Sequence, residues 1–345
     1  MSHSTAQQTA MRDASLVSAA AMLAGGPIED MASIKAGNNN AVYRLTTGNG
    51  NRFALKHYPA TASDPRDRLG TEYTAVELMH GGGVDEVPAP RGKDENDRIA
   101  LYEWVDGTPV ETPDTADIDA AADFMARLWS ISNKGAGDHI AAASEACPSG
   151  AEVVRQIEAR LARLRADCAS EADLLGLLAD ALAPALKAAE ARARTAYQSM
   201  GINFDKPLAR DLQTMSPSDF GFHNAIKRKD GRLTFVDFEY FGWDDPAKLV
   251  SDFRLHPGMA LSPDLADRFL IAAAETFSGD HPAFTARIHA VEPLYALRWA
   301  CIVLNVFLDE PWSRRLAAGE TRNRETVKRQ QFEKAEAFIA RAVAA

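Results

Sequence analysis

Two aspartates eighteen residues apart, Asp219 and Asp237, bracket a stretch of chain that can close on itself. It reads Asp219-Phe220-Gly221-Phe222-His223-Asn224, then Ala-Ile-Lys-Arg-Lys, then Asp230-Gly231, then Arg-Leu-Thr-Phe-Val, and ends in Asp237-Phe238-Glu239. Asp-Gly between two runs of this kind is a strong signal for a two-residue hairpin turn. Pairing outward from that turn sets residue 229 against 232 and Asn224 against Asp237. Directly opposed residues on one face of a ribbon have Cβ atoms about 4.5–5.5 Å apart. An amide oxygen and a carboxylate are therefore expected to converge on one point, and hard divalent ions such as Mg²⁺ take oxygen ligands of this kind. Asp219 sits on the loop leading into the same place. The blander reading is a surface hairpin with a few polar residues, and the motifs below weigh against it.

Asp-x₄-Asn followed by a metal-binding Asp is the core of the protein-kinase catalytic machinery. Here Pro217-Ser218-Asp219 replaces His-Arg-Asp, and Asp237-Phe238-Glu239 replaces Asp-Phe-Gly. This version resembles the aminoglycoside phosphotransferase and choline kinase family, small-molecule kinases with a protein-kinase-like fold. The ordered motifs cover residues 30–255, and the C-terminal helices fit only by type. The resemblance implies an α+β, protein-kinase-like bilobal fold. Residues 1–105 would form a small β-rich nucleotide-binding lobe, and residues 106–345 a larger, mainly helical lobe for catalysis and acceptor binding.

The local patterns agree with that division. A short helix is expected to end at Gly25-Gly26-Pro27, after a frayed tail. Ala41–Leu45 and Arg52–Lys56 flank Gly48-Asn49-Gly50 as a hairpin, a helix runs from Pro65 to His80, and a strand runs from Arg98 to Trp104. After Asp106-Gly107 helical periodicity dominates, over 117–133, 151–200 and from 264 to the end. With 345 residues there is material for two real cores. The net charge of -10 disfavours a nucleic-acid partner, and no apolar run is long enough to span a bilayer. Three cysteines (Cys147, Cys168 and Cys301) without metal spacing read as reduced thiols of a cytoplasmic protein. Asp13, beside the alanine-rich patch, argues against a signal peptide.

Lys56 lies in Phe-Ala-Leu-Lys, similar to the Val-Ala-Ile-Lys of kinase strands, where the lysine reaches the nucleotide's α- and β-phosphates. Its expected holder is Glu72. Leu69, Glu72, Tyr73, Val76 and Met79 share one helix face, and a carboxylate inside an apolar stripe needs a partner. Ala36-Gly37-Asn38-Asn39-Asn40-Ala41-Val42 stands where kinases carry a glycine-rich loop, so Asn38 and Asn39 are expected near the phosphates. By the same resemblance the Glu103 carbonyl and the Val105 N–H meet the adenine edge, with Ile34, Val42 and Ala54 as apolar walls.

The implied reaction is ATP- and Mg²⁺-dependent phosphoryl transfer to a hydroxyl of a small molecule. Lys56, fixed by Glu72, aligns phosphates, Asn224 and Asp237 hold Mg²⁺, and Asp219 orients the acceptor hydroxyl and takes its proton. His223 reads as a structural residue bonding backbone. Glu239 reads as a contact for a metal-bound water or a cationic acceptor, and Asp244, Asp245 and Asp252 as braces of the catalytic loop. Pro217 stands where many relatives have a loop-supporting His, and no Ala-Pro-Glu segment follows, which argues against a protein kinase. Residues 147–200, Arg298, Trp299 and Asn305 are candidate walls for the acceptor. An aminoglycoside, an amino alcohol, a sugar and an amino acid all stay open as acceptors. The alternative is a catalytically inactive kinase-like module that binds nucleotide. The presence of Lys56, Glu72, Asp219, Asn224 and Asp237 together favours the enzyme.

Overall fold

The computed structural model describes residues 15–34, 40–60, 64–259, 261–281, 283–317 and 319–345. Two compact units make up the chain. One holds the residues up to Val110 together with Asn224–Phe241, and the other holds Glu111–His223 and Gly242–Ala345. The Asp-Gly hairpin therefore groups with the strand-rich first unit, whereas the division read from the sequence ran straight through the chain at residue 105.

In the first unit five strands form an antiparallel sheet in the order β1–β2–β3–β5–β4: β1 (Ile28–Ile34), β2 (Ala41–Thr47), β3 (Arg52–His57), β4 (Pro90–Asp94) and β5 (Ile99–Glu103). Side chains alternate across a strand, so the sheet has two distinct faces. Leu45, Leu55, Ile99 and Leu101 pack with Leu16, Ala19 and Ala20 of helix α1 (Ser15–Ala24). Burying a leucine such as Leu16 stabilises by about 1.5–3 kcal/mol, enough to dock a helix too short to hold alone. Ile34, Val42, Lys56 and Ala100 form a row across β1, β2, β3 and β5, which puts them on the face away from Leu55. Helix α2 (Arg68–Gly81) starts where the Asp67 side chain accepts the Gly70 N–H at 3.0 Å. It buries the expected stripe of Leu69, Glu72, Tyr73, Val76 and Met79, and Tyr73 meets Tyr102 of β5 with ring centres 6.0 Å apart.

The hairpin register differs from the expectation by one residue. Ala225 faces Phe235, Ile226 faces Thr234 and Lys227 faces Leu233, and the Val236 N–H donates to the Asn224 carbonyl at 2.9 Å. The Arg228 N–H reaches the Arg232 carbonyl at 2.8 Å, so Lys229, Asp230 and Gly231 form a three-residue loop. Gly231 closes it at φ +86°, with its own N–H on the Arg228 carbonyl at 3.0 Å. A loop closed by a left-handed glycine takes three residues where the Asp-Gly turn takes two. Asn224 thus lies opposite Val236, and Asp237 comes one step later, itself at φ +72°.

The second unit is helical: α3 (Thr115–Ser132), α4 (Gly150–Asp167), α5 (Ala172–Gly176), α6 (Ala183–Ser199), α7 (Pro246–Leu255), α8 (Pro263–Phe277), α9 (Phe284–Val303), α10 (Asp309–Ala317) and α11 (Arg324–Ala344). The helical stretch read over 151–200 breaks after α4, and a π-helical segment, Leu177–Leu182, joins α5 to α6. Phe284–Phe307 is long and apolar enough to cross a membrane by length and composition, which corrects the expectation that no run is. Its apolar window is 72% buried inside the structure, so α9 serves as a core helix. Two short strands, Thr214–Ser216 and Gly242–Asp244, pair antiparallel. The first delivers Pro217, Ser218 and Asp219 at its end.

Candidate functional site

The first unit gathers three of the singled-out residues. Lys56 Nζ lies 2.8 and 2.7 Å from the two Glu72 carboxylate oxygens and 2.6 Å from Asp237 Oδ1. Lys56 is 8% exposed and Glu72 3% exposed, so this lysine sits in a nearly dry pocket of oxygens. Burial works against its charge, but the Asp237 and Glu72 carboxylates more than offset that and hold the ammonium above its ordinary value. Glu72 lies on the buried face of α2, where its carboxylate meets the sheet's lysine. Asp237 was not expected on the same lysine. Its positive φ turns it out of the ribbon that ends at Phe235, a conformation that costs an ordinary residue roughly 1–3 kcal/mol and clusters at functional positions.

Val42 and Ala54 lie on the Lys56 face of the sheet, Val42 directly opposite Lys56 on β2. Glu103 ends β5, where its N–H donates to the Ala89 carbonyl at 2.8 Å, and Val105 follows, buried. Asn38 and Asn39 lie outside the described residues. Asn224 and Asp237 offer an amide oxygen and a carboxylate, the hard donors Mg²⁺ takes. Asp237 has one oxygen on Lys56, and its side chain remains 31% exposed, so the donor chemistry fits a divalent ion. Glu239 has protein partners of its own. It is buried, 3.8 Å from Arg68 Nη1, and it accepts the Asn40 side-chain N–H at 3.2 Å.

The second unit carries Asp219 on a loop held at several points. Ser218 has φ +66°, and the Asp219 N–H turns back to the Pro217 carbonyl at 2.8 Å, a tight three-residue turn. The Ser218 hydroxyl donates to the Ser144 carbonyl at 3.1 Å and receives Lys248 Nζ at 3.2 Å. Lys248 is 1% exposed and bridges Asp244 at 3.2 Å and Asp252 at 3.1 Å. Burial opposes its charge, and the two carboxylates hold it above the ordinary lysine value. Asp244 also accepts the Cys147 and Asp245 N–H groups, both at 2.8 Å. Asp244, Lys248 and Asp252 share one face of α7 and its approach, so a helix turn sets this bracing.

Two histidines converge on Asp219. His223 Nε2 lies 3.1 Å from its Oδ1, so His223 meets the acid and not the backbone it was expected to bond. His256, which no sequence pattern marked, brings Nε2 to 3.5 Å from the same oxygen. Burial would push the Asp219 carboxyl up, but the contacts from His223 and His256 hold it below the usual carboxylate range. Its side chain is 41% exposed, so water screens part of that effect. Of the suggested acceptor walls, Asn305 lines a cleft of about 980 Å³ with Glu145, Gln156 and Arg160, whereas Trp299 stands edge-on against His256.

A family model described as "Phosphotransferase enzyme family" matches residues 30–196. No curated protein matches the sequence. Solved structures agree over nearly the whole chain at low identity. The choline kinase LicA from Streptococcus pneumoniae is 15% identical, covering 91% of this chain and 94% of its own, with a TM-score of 0.56. The spectinomycin phosphotransferase APH(9)-Ia, solved with ADP and spectinomycin, is 13% identical, with 93% and 94% covered and a TM-score of 0.57. The macrolide 2'-phosphotransferase MphH from Brachybacterium faecium is 16% identical, with 89% and 98% covered and a TM-score of 0.55. At such identities the likeness establishes the fold. The fold is protein-kinase-like and α+β, and over residues 30–196, just under half of its length, the chain resembles the phosphotransferase enzyme family.

Proposed function

We propose that this phosphotransferase moves the terminal phosphoryl group of ATP, in the presence of Mg²⁺, to a hydroxyl of a small molecule. The observation that carries the reading is the Lys56 ammonium, held by both oxygens of Glu72 and touching Asp237. A fixed cation beside a metal-type carboxylate is what a polyphosphate tail requires. Lys56 aligns the phosphates, with Glu72 fixing its direction. Val42 and Ala54 flank the base, and the backbone at Glu103 and Val105 meets the adenine edge. Asn224 and Asp237 would hold Mg²⁺, which neutralises charge on the phosphate oxygens when bound. Asp219 orients the acceptor hydroxyl. As the new O–P bond forms and the bond to the ADP oxygen breaks, Asp219 takes the hydroxyl proton. The acceptor class is an aminoglycoside, an amino alcohol, a sugar or an amino acid; similar folds include a choline kinase and a spectinomycin phosphotransferase.

ATP consumption measured over a panel of those four classes, with Mg²⁺, tests this. One class should raise turnover well above the acceptor-free rate, and Asp219→Asn should lose about 10²–10⁴-fold of it while nucleotide affinity stays near wild type. If wild type and Asp219→Asn bind nucleotide alike and neither turns over any acceptor, the inactive nucleotide-binding module is the better description.

A further inference from the structure

We propose that His256 is a positioning residue for Asp219, fixing the direction of its carboxylate by donating Nε2–H to Oδ1. This rests on the reading of Asp219 as the proton acceptor. His256 caps the C-terminus of α7, thirty-seven residues after Asp219 in the chain. Its Nδ1 accepts the Gly258 N–H at 3.1 Å. A ring nitrogen that accepts carries no proton, so the neutral ring keeps its proton on Nε2. That atom stands 3.5 Å from Asp219 Oδ1, and His223 Nε2 stands 3.1 Å from the same oxygen. Contacts to a catalytic group are often long before substrate arrives and shorten afterwards.

The ring has little freedom to turn away. His223 stacks on one side, ring centres 3.9 Å apart and planes within 4°. Trp299 closes another side edge-on at 4.8 Å. The same segment also supports the loop from behind, since the Phe222 N–H points at Met259 Sδ at 3.1 Å. A side chain at Gly221 would come within 2.6 Å of that sulfur, so the loop needs glycine there for close approach.

A second reading uses the same atoms. The ligand atoms of Asp219, His223 and His256 lie within 4.8 Å of one another, a constellation that suits a transition-metal ion. Such an ion on His256 Nε2 requires the proton on Nδ1, where the Gly258 N–H already points. The tautomer therefore favours the hydrogen bond.

The test uses Mg²⁺-ATP hydrolysis, with water standing in for the acceptor, on the full chain. His256→Phe keeps the ring stack and removes the donor, whereas His256→Gln keeps an N–H at comparable reach. His256→Phe should lower kcat by about tenfold to a hundredfold, with KM for ATP within about twofold of wild type and thermal stability retained. His256→Gln should recover most of the loss. His256→Phe added to Asp219→Asn should lower kcat no further, because both act through one group. A His256→Phe enzyme at wild-type kcat, beside an inactive Asp219→Asn, overturns the inference alone. Wild-type hydrolysis no faster than that of Asp219→Asn overturns the underlying reading and the inference with it. Activity lost on chelation and restored by Zn²⁺, after Mg²⁺ has been resupplied, overturns it in favour of the metal.

Discussion

Lys56 Nζ stands 2.6 Å from Asp237 Oδ1, across 181 residues of sequence. The same ammonium holds Glu72, one of the most buried acids of the first unit. Removing the lysine takes away the cation that both Glu72 oxygens meet. Breaking a buried pair in this way costs about 3–5 kcal/mol, far more than an exposed pair is worth. Lys56→Met should therefore lower unfolding free energy in urea by about that much. The double variant Lys56→Met/Glu72→Leu should be less destabilised than the single, since no buried charge then stays unpaired. A Lys56→Met protein within about 1 kcal/mol of wild type would show that the pair is not holding the unit together.

Asp237 offers a contrasting case, because it is partly open to water and its removal leaves the Lys56–Glu72 pair intact. Asp237→Ala should keep most of the protein's stability and lose at least tenfold in affinity for ATP when Mg²⁺ is present. Calorimetric titration with Mg²⁺ and again with excess chelator separates the two effects. The loss should shrink in chelator, where the carboxylate has no ion to hold and only repels phosphate. Equal affinities for wild type and variant in Mg²⁺ would take Asp237 out of the metal role.

The residues that sequence reading placed well are those whose partners follow from local periodicity. Glu72 could be assigned to Lys56 because a carboxylate inside the Leu69–Met79 stripe must face the sheet. The Asn224–Asp237 pairing failed for an equally local reason, one extra residue in the hairpin loop. A two-residue and a three-residue loop share the Asp-Gly signature, and the hydrogen bonds from Gly231 to Arg228 and from Arg228 to Arg232 separate them. His256 was beyond reach of any such argument. Its contact with Asp219 depends on where α7 ends and how it packs, and neither has a fixed spacing in the chain. The partner of Glu239 was out of reach for a related reason, because Arg68 sits in a different element with no periodic relation to it.

That loop makes its own prediction. Gly231 at φ +86° has open space where a Cβ would go, so any penalty for a side chain comes from the backbone and not from a clash. Left-handed backbone costs a residue with a Cβ about 1–2 kcal/mol. Gly231→Ala should lower stability by that amount, and Gly231→Asn by less, because asparagine tolerates this region. The order Gly, then Asn, then Ala in urea midpoint checks it. An alanine variant as stable as wild type would mean that the loop can re-register to a turn without positive φ.

His281 should make the protein acid-sensitive. It is buried beside Trp129, Phe277 and Phe284, with ring centres at 5.8, 6.3 and 5.9 Å. Its Nε2 meets no hydrogen-bond partner among the described residues. Burial, and then the Arg287 charge, lower its pKa below the ordinary histidine value of 6.5, while Asp245 and Asp280 pull the other way. A group whose folded-state pKa is depressed contributes stability above the unfolded pKa and loses it as pH falls through the folded one. Above pH 6.5 the ring is neutral in both states. Below it the unfolded chain takes up a proton that the aromatic cage resists, so stability declines at up to about 1.4 kcal/mol per pH unit. Urea unfolding at pH 7 and pH 5 should show wild type losing more than His281→Phe, which keeps the ring contacts and cannot charge. Other titrating groups act on both proteins alike, so the difference between them isolates this ring. Parallel losses in the two proteins would mean that His281 charges as readily inside the fold as outside it.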